Sequence, residues 1–204
     1  MANIQAPFGF RRQSGTGASP TFELQTYNMD YNAIATYFGD PLVRQADGTV
    51  APIAQTTQSV AQILAGIFAG CEYPSVSQKR PLWSNYFPGN DVASGNFVTA
   101  YVVNDPNAQF LCQSDNTTFA TFTGFSAAGI GANYAYNSGT GNAANGLSGA
   151  YVVTSSGAVT ATLAFRLISL VTFPPNSQGT QAGAYSFGIV AFNNVETKSL
   201  TATI

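Results

Sequence analysis

The sequence predicts an all-β fold: a jelly roll, or a β-sandwich or barrel, of about nine or ten short strands behind an extended N-terminal arm. Three observations predict it. Apolar and polar residues alternate with a period of two in several separate runs. Clusters of Gly, Pro, Asn and Asp punctuate those runs. No stretch makes a convincing helix. The 204 residues suit an arm over 1–20 and a single β domain over 21–204. No repeat with the ~20–50-residue period of solenoids and propellers is visible.

Residues 1–20 hold three Gly and two Pro without periodicity, the composition of a segment that docks rather than packs. Phe8 and Phe10 are its apolar anchors, and Arg11 and Arg12 face carboxylates; these four are candidate contacts to a neighbouring subunit. In 26–37, Tyr27, Met29, Tyr31, Ala33, Ala35 and Tyr37 alternate with Asn28, Asp30, Asn32, Ile34 and Thr36, a strand broken near Asn32. Residues 41–54 read as a hairpin with a two-residue turn at Asp47-Gly48, and Pro52 puts its second strand at an edge.

Residues 56–72 fit two templates. Val60, Ile63, Leu64, Ile67 and Phe68 have helical spacing, whereas Ile63, Ala65, Ile67, Ala69 and Cys71 line one face of a strand. Gly66 and Gly70 each weaken a helix by about 1 kcal/mol, which favours strand from Ala61 on. A loop rich in Pro and Asn follows at 73–95. Strands at 96–103 and 108–113 flank an Asp105-Pro106-Asn107 turn. Further strands are expected at 116–125, 150–154, 158–173 and 184–194, with Pro174-Pro175 separating the last two. The stretch 126–149 contains six Gly and reads as a long loop. Its Ile130, Tyr134, Tyr136 and Leu147 are candidate contacts to a neighbouring copy.

Charge is scarce. Charged residues form 8% of the chain against roughly 25% in ordinary soluble proteins, and none occurs from Asn116 to Phe165. With 13% aromatic residues the chain is not of the disordered class. The deficit points to a surface made of Ser, Thr, Asn, Gln and Gly, or to one that partners largely cover in an assembly. A net charge of −2 without a basic stripe argues against nucleic acid as a partner. The apolar runs are too short and too interrupted to span a bilayer as a helix, and the opening residues do not resemble a signal peptide. Cys71 and Cys112 lie in apolar alternating stretches and read as buried, reduced thiols.

Histidine is absent, so a Ser-His-Asp or Cys-His arrangement is impossible. Two cysteines without His do not make a structural zinc site. Asp91, Asp105 and Asp115 sit beside Gly, Asn or Pro and read as turn formers rather than a catalytic pair. The expectation is a protein that is not an enzyme and takes no cofactor or metal.

Several segments, in order along the chain, resemble the structural cement or decoration proteins of tailed bacteriophage heads. They are Ala6-Pro7-Phe8-Gly9-Phe10-Arg11, Gly39-Asp40-Pro41 with Leu42-Val43, ILAGIFAGCEY at 63–73, VVNDPNAQFLCQSD at 102–115, FRLISLV at 165–171 and YSFGIVAFN at 185–193. The chain departs from that pattern in its long uncharged stretch 126–149 and in lacking His near the end. The resemblance implies a jelly roll on the outer surface of the virion capsid, assembled in the host cytoplasm. It implies bridging of neighbouring major capsid protein subunits by a homodimer or homotrimer. It also supports strand over helix at 63–73. The competing expectation is a receptor- or glycan-binding module of a phage fibre, or a lectin-like domain, using Tyr134, Tyr136 and Tyr151.

Overall fold

A computed structural model describes residues 3–15, 24–55, 62–115, 118–119, 122–123, 129–181 and 183–198. The chain is all-β, with two antiparallel sheets of six strands each, consistent with a β-sandwich. No helix among the described residues is long and apolar enough to cross a membrane.

Sheet 1 runs in the order β1 (Arg11–Ser14), β8 (Gln109–Gln113), β14 (Phe187–Phe192), β13 (Phe165–Leu170), β11 (Asn133–Asn137), β12 (Tyr151–Ala158). It curls until β12 meets the end of β8: Ser114 and Val152 form a parallel bridge, and the Asp115 N–H donates to Val152 O at 3.0 Å. Sheet 2 runs β2 (Gln25–Asp30), β7 (Phe97–Val103), β5 (Leu64–Ser75), β3 (Pro41–Arg44), β4 (Val50–Pro52), and β6 (Arg80–Ser84) pairs with the far end of β5. A two-stranded pair, β9 (Thr118–Phe119) and β10 (Phe122–Thr123), forms its own ladder beside β12.

Two apolar clusters result. The first fills the space between the sheets: Phe110, Tyr136, Phe165, Leu167 and Phe192 from sheet 1 meet Val43, Leu64, Ile67 and Val103 from sheet 2. The second lies on the opposite face of sheet 2, where Leu42, Ala65, Phe68, Val98 and Val102 are covered by Phe87 and Val92. The start of β5 is therefore buried on both faces. A doubly buried strand reads as a continuous apolar run rather than an alternating one, which is why 63–69 also matched helical spacing.

Several expectations are corrected. The segment 3–15 is extended, but it docks on its own chain. β1 pairs antiparallel with β8, and Phe10 is 1% exposed, stacked on Phe165 at 4.2 Å. Residues 16–20 of the expected arm lie outside the described residues, as do 56–61 and most of 116–128. The stretch 126–149 is not one loop, because it contains β11, an interior strand of sheet 1 between β13 and β12. Its glycines flank that strand and let backbones touch: a Cβ on Gly139 would fall 1.9 Å from Gly149 O. The loop expected at 73–95 holds the end of β5 and all of β6. The expected strand 158–173 begins only at Phe165, and the preceding strand reaches Ala158. The hairpin at 41–54 forms with β4 at an edge, but its turn has three residues. The Gln45 N–H donates to Thr49 O at 2.8 Å, and Gly48 takes φ +85°. The break near Asn32 is present, since β2 ends at Asp30 and the Ala33 N–H donates back to Asp30 O. Cys71 and Cys112 are both free and buried.

Candidate interaction surfaces

The strand alternation sorts the sequence-predicted residues onto different sides of sheet 1. Phe10, Tyr134 and Tyr136 point inward. Tyr134 is 6% and Tyr136 0% exposed, and Phe10 packs edge-on to Tyr136 at 6.3 Å. These three form core and present no surface to a partner. Burial drives the Tyr136 hydroxyl strongly upward in pKa, and its oxygen has no hydrogen-bond partner among the described residues. Leu147 is half-buried and bridges to Phe38. Arg12 faces Asp105 at 3.7 Å, the carboxylate that its charge led one to expect on a neighbour.

Phe8 and Arg11 point outward and share a face, and Ile130 is exposed. Phe8 packs edge-on against Phe187 of β14 at 5.2 Å, and the Arg11 guanidinium lies over the Phe8 ring at 4.7 Å. Arg11 sits opposite Leu111, and Leu111 opposite Ile189. Arg166 pairs with Ala191 one row along, and Ile168 follows it, 37% exposed. Ile130, 48% exposed, lies beside β13, because the Gly131 N–H donates to Leu167 O at 2.8 Å. The outer face of sheet 1 is thus an aliphatic strip flanked by two arginines. Sequence reasoning missed Leu111, Arg166, Ile168 and Ile189. Alternation in FRLISLV placed Arg166 and Ile168 opposite Phe165 and Leu167, but only the sheet order shows which side is bare.

Residues 3–6 are tied down by polar bonds instead. Gln113 Oε1 accepts from the Ala6 N–H at 2.9 Å, and its Nε2 donates to Ile4 O at 3.0 Å. Asn3 Nδ2 donates to Gln181 O, and Asn3 Oδ1 accepts from the Gly179 N–H. Gln5 and Pro7 then wall a cleft of about 200 Å³ with Gln113, Ser114, Asp115, Tyr151 and Tyr185.

A second exposed face lies on sheet 2. Past Gly70, β5 alternates: Cys71, Tyr73 and Ser75 are buried, while Glu72 and Pro74 are exposed. Across the strands, Trp83 pairs with Glu72, Glu72 with Thr99, and Thr99 with Asn28. Trp83 is 65% and Phe97 54% exposed. The Tyr101 hydroxyl donates to Glu72 Oε2 at 3.2 Å.

Comparison with known protein families, with curated proteins and with solved structures finds no match to this chain.

Proposed function

We propose that this chain is a structural protein of a bacteriophage head, which binds the outer face of the capsid and bridges and stabilises neighbouring major capsid protein subunits. The ordered sequence resemblance suggests it. The observation that carries it is the outer face of sheet 1, with Leu111, Ile168 and Ile189 between Arg11 and Arg166. Interfaces concentrate apolar side chains at the centre and use Arg as an anchor. The scarcity of charge elsewhere suits a protein that lives against partners, since few ions have to be desolvated. A homo-oligomer would present several such faces at once. Modest contacts then add up through effective concentration, and binding only the assembled shell stabilises that state by mass action.

The test is co-sedimentation with phage heads lacking the protein. The wild-type chain should pellet with heads at a fixed copy number. The double charge reversal Arg11→Glu with Arg166→Glu should remain folded and lose most of that binding, a loss of about 2 kcal/mol or more if either arginine is an anchor. Undiminished occupancy by the double variant overturns the reading.

A further inference from the structure

We propose that the exposed row Trp83, Glu72, Thr99 and Asn28 on sheet 2, with Tyr101 beside it, is a binding platform for a neutral oligosaccharide. The row belongs to no part of the face assigned above to the capsid. Its members come from four adjacent strands, β6, β5, β7 and β2, in continuous register. Neighbouring strands lie ~4.8 Å apart, so the row spans about 14 Å, the length of a short oligosaccharide.

Each position has a chemical task. The Trp83 indole lies along Gly70, at ordinary van der Waals distance from where a Cβ would stand, 3.4 Å. Gly70 itself adopts φ +138°, a conformation open to Gly. An exposed ring held this way offers a flat apolar surface to the C–H face of a pyranose. Glu72 follows at one strand's distance. Tyr101 donates to one of its oxygens, which orients the carboxylate and leaves lone pairs to accept from sugar hydroxyls. Thr99 and Asn28 continue the row with groups that both donate and accept.

Charge narrows the ligand. Glu72 is the only ionic group of the row, and no Lys or Arg occupies any of these register positions or those of Gly70, Tyr101 and Thr26 beside them. An acidic glycan or a phosphate would meet an unscreened carboxylate. A simple cation would use Glu72 and leave the indole idle. A neutral polyol with one apolar face uses every group present. Of the tyrosines expected to hold a glycan, Tyr134 and Tyr136 are buried and Tyr151 is half-buried at the cleft beside Gln5, whereas an exposed aromatic ring stands at this other place.

Trp83 is the single tryptophan of the chain, so its fluorescence reports on this platform alone. The full chain is titrated with maltohexaose, cellohexaose and chitohexaose, with hexagalacturonate as the anionic control. At least one neutral hexasaccharide should shift the emission saturably, with a dissociation constant of ~1 mM or below. Hexagalacturonate should not. By calorimetry, Trp83→Ala should abolish the binding heat and Glu72→Ala should weaken affinity about tenfold, while circular dichroism stays unchanged. The proposal is overturned if no neutral hexasaccharide shifts the emission at ~10 mM, tenfold above that dissociation constant, or if Trp83→Ala binds as well as wild type. It is equally overturned if the emission changes with protein concentration alone, which would make a second copy the occupant of this face.

Discussion

The two halves of β5, apolar up to Ala69 and mixed from Cys71 on, live under different rules. From Leu64 to Ala69 the strand is sandwiched, with Leu64 and Ile67 in one apolar cluster and Ala65 and Phe68 in the other. From Cys71 to Ser75 one face still packs and the other meets solvent. The boundary is a bulge between Phe68 and Gly70 in the pairing with β7. Stability is concentrated before the bulge and surface chemistry after it. The same strand that ties both sheets together carries Glu72 out to the exposed row.

The largest expected effect comes from the buried half. Phe68→Ala should cost about 3–5 kcal/mol, measured by urea unfolding, because the cavity it leaves lies in the second cluster beneath Phe87. A cost near zero would mean that this cluster is not a packed core.

Asp40 gives a smaller, pH-dependent test of the same half. Its backbone clasps Phe68: the Phe68 N–H donates to Asp40 O at 2.8 Å, and the Gly39 N–H donates to Phe68 O at 2.9 Å. Its carboxylate accepts from Ser148 Oγ and from the Tyr37 N–H. Burial outweighs those bonds and raises its pKa from 3.8 to about 6. The folded protein therefore holds this proton more tightly than the unfolded chain does. The resulting stabilisation is complete below pH ~4 and is lost as pH rises towards 6, a span of up to about 3 kcal/mol. The difference in unfolding free energy between wild type and Asp40→Asn, followed from pH 4 to 7, should show this slope and then flatten. A difference independent of pH would mean the carboxylate is ionised throughout.

The smallest expected effect belongs to the exposed half. Trp83→Ala should change stability by no more than about 0.5 kcal/mol in the same urea experiment. If it cost as much as Phe68→Ala, the division of β5 into a structural and a surface half would be wrong.

Strand identity was legible in the sequence for several strands with one covered face. The alternation of Tyr27 and Met29, the Asp105-Pro106-Asn107 turn and the closing strand at 184–194 all appear in their places. The Asp105 side chain even accepts from the Asn107 N–H, as a turn-forming Asp does. What was not legible depended on contacts distant in sequence. Glycine richness around Tyr134 and Tyr136 looked like loop, because composition does not distinguish flexibility from close backbone approach. The Pro and Asn content of 73–95 hid β6, whose Pro81 lies directly opposite Pro74 of β5. Phe10 looked like an anchor for a partner because its stacking ring, Phe165, lies far along the chain. On the outer face of sheet 1, Phe8 and Arg11 were identified singly, and only the strand order sets them beside Leu111 and Ile189.

The pairing of β1 with β8 also sets a timetable. Arg11 finds its partner at Leu111, 111 − 11 = 100 positions later, and Phe10 stacks on a ring that follows later still. At ~5–20 residues per second, a ribosome needs roughly 5–20 s to supply β8 once β1 has been made. Throughout that interval Phe10 and the ladder groups of β1 are without their native partners. The first described strand of the chain thus waits for β8 to be made, and Phe10 waits longer still, for the start of β13.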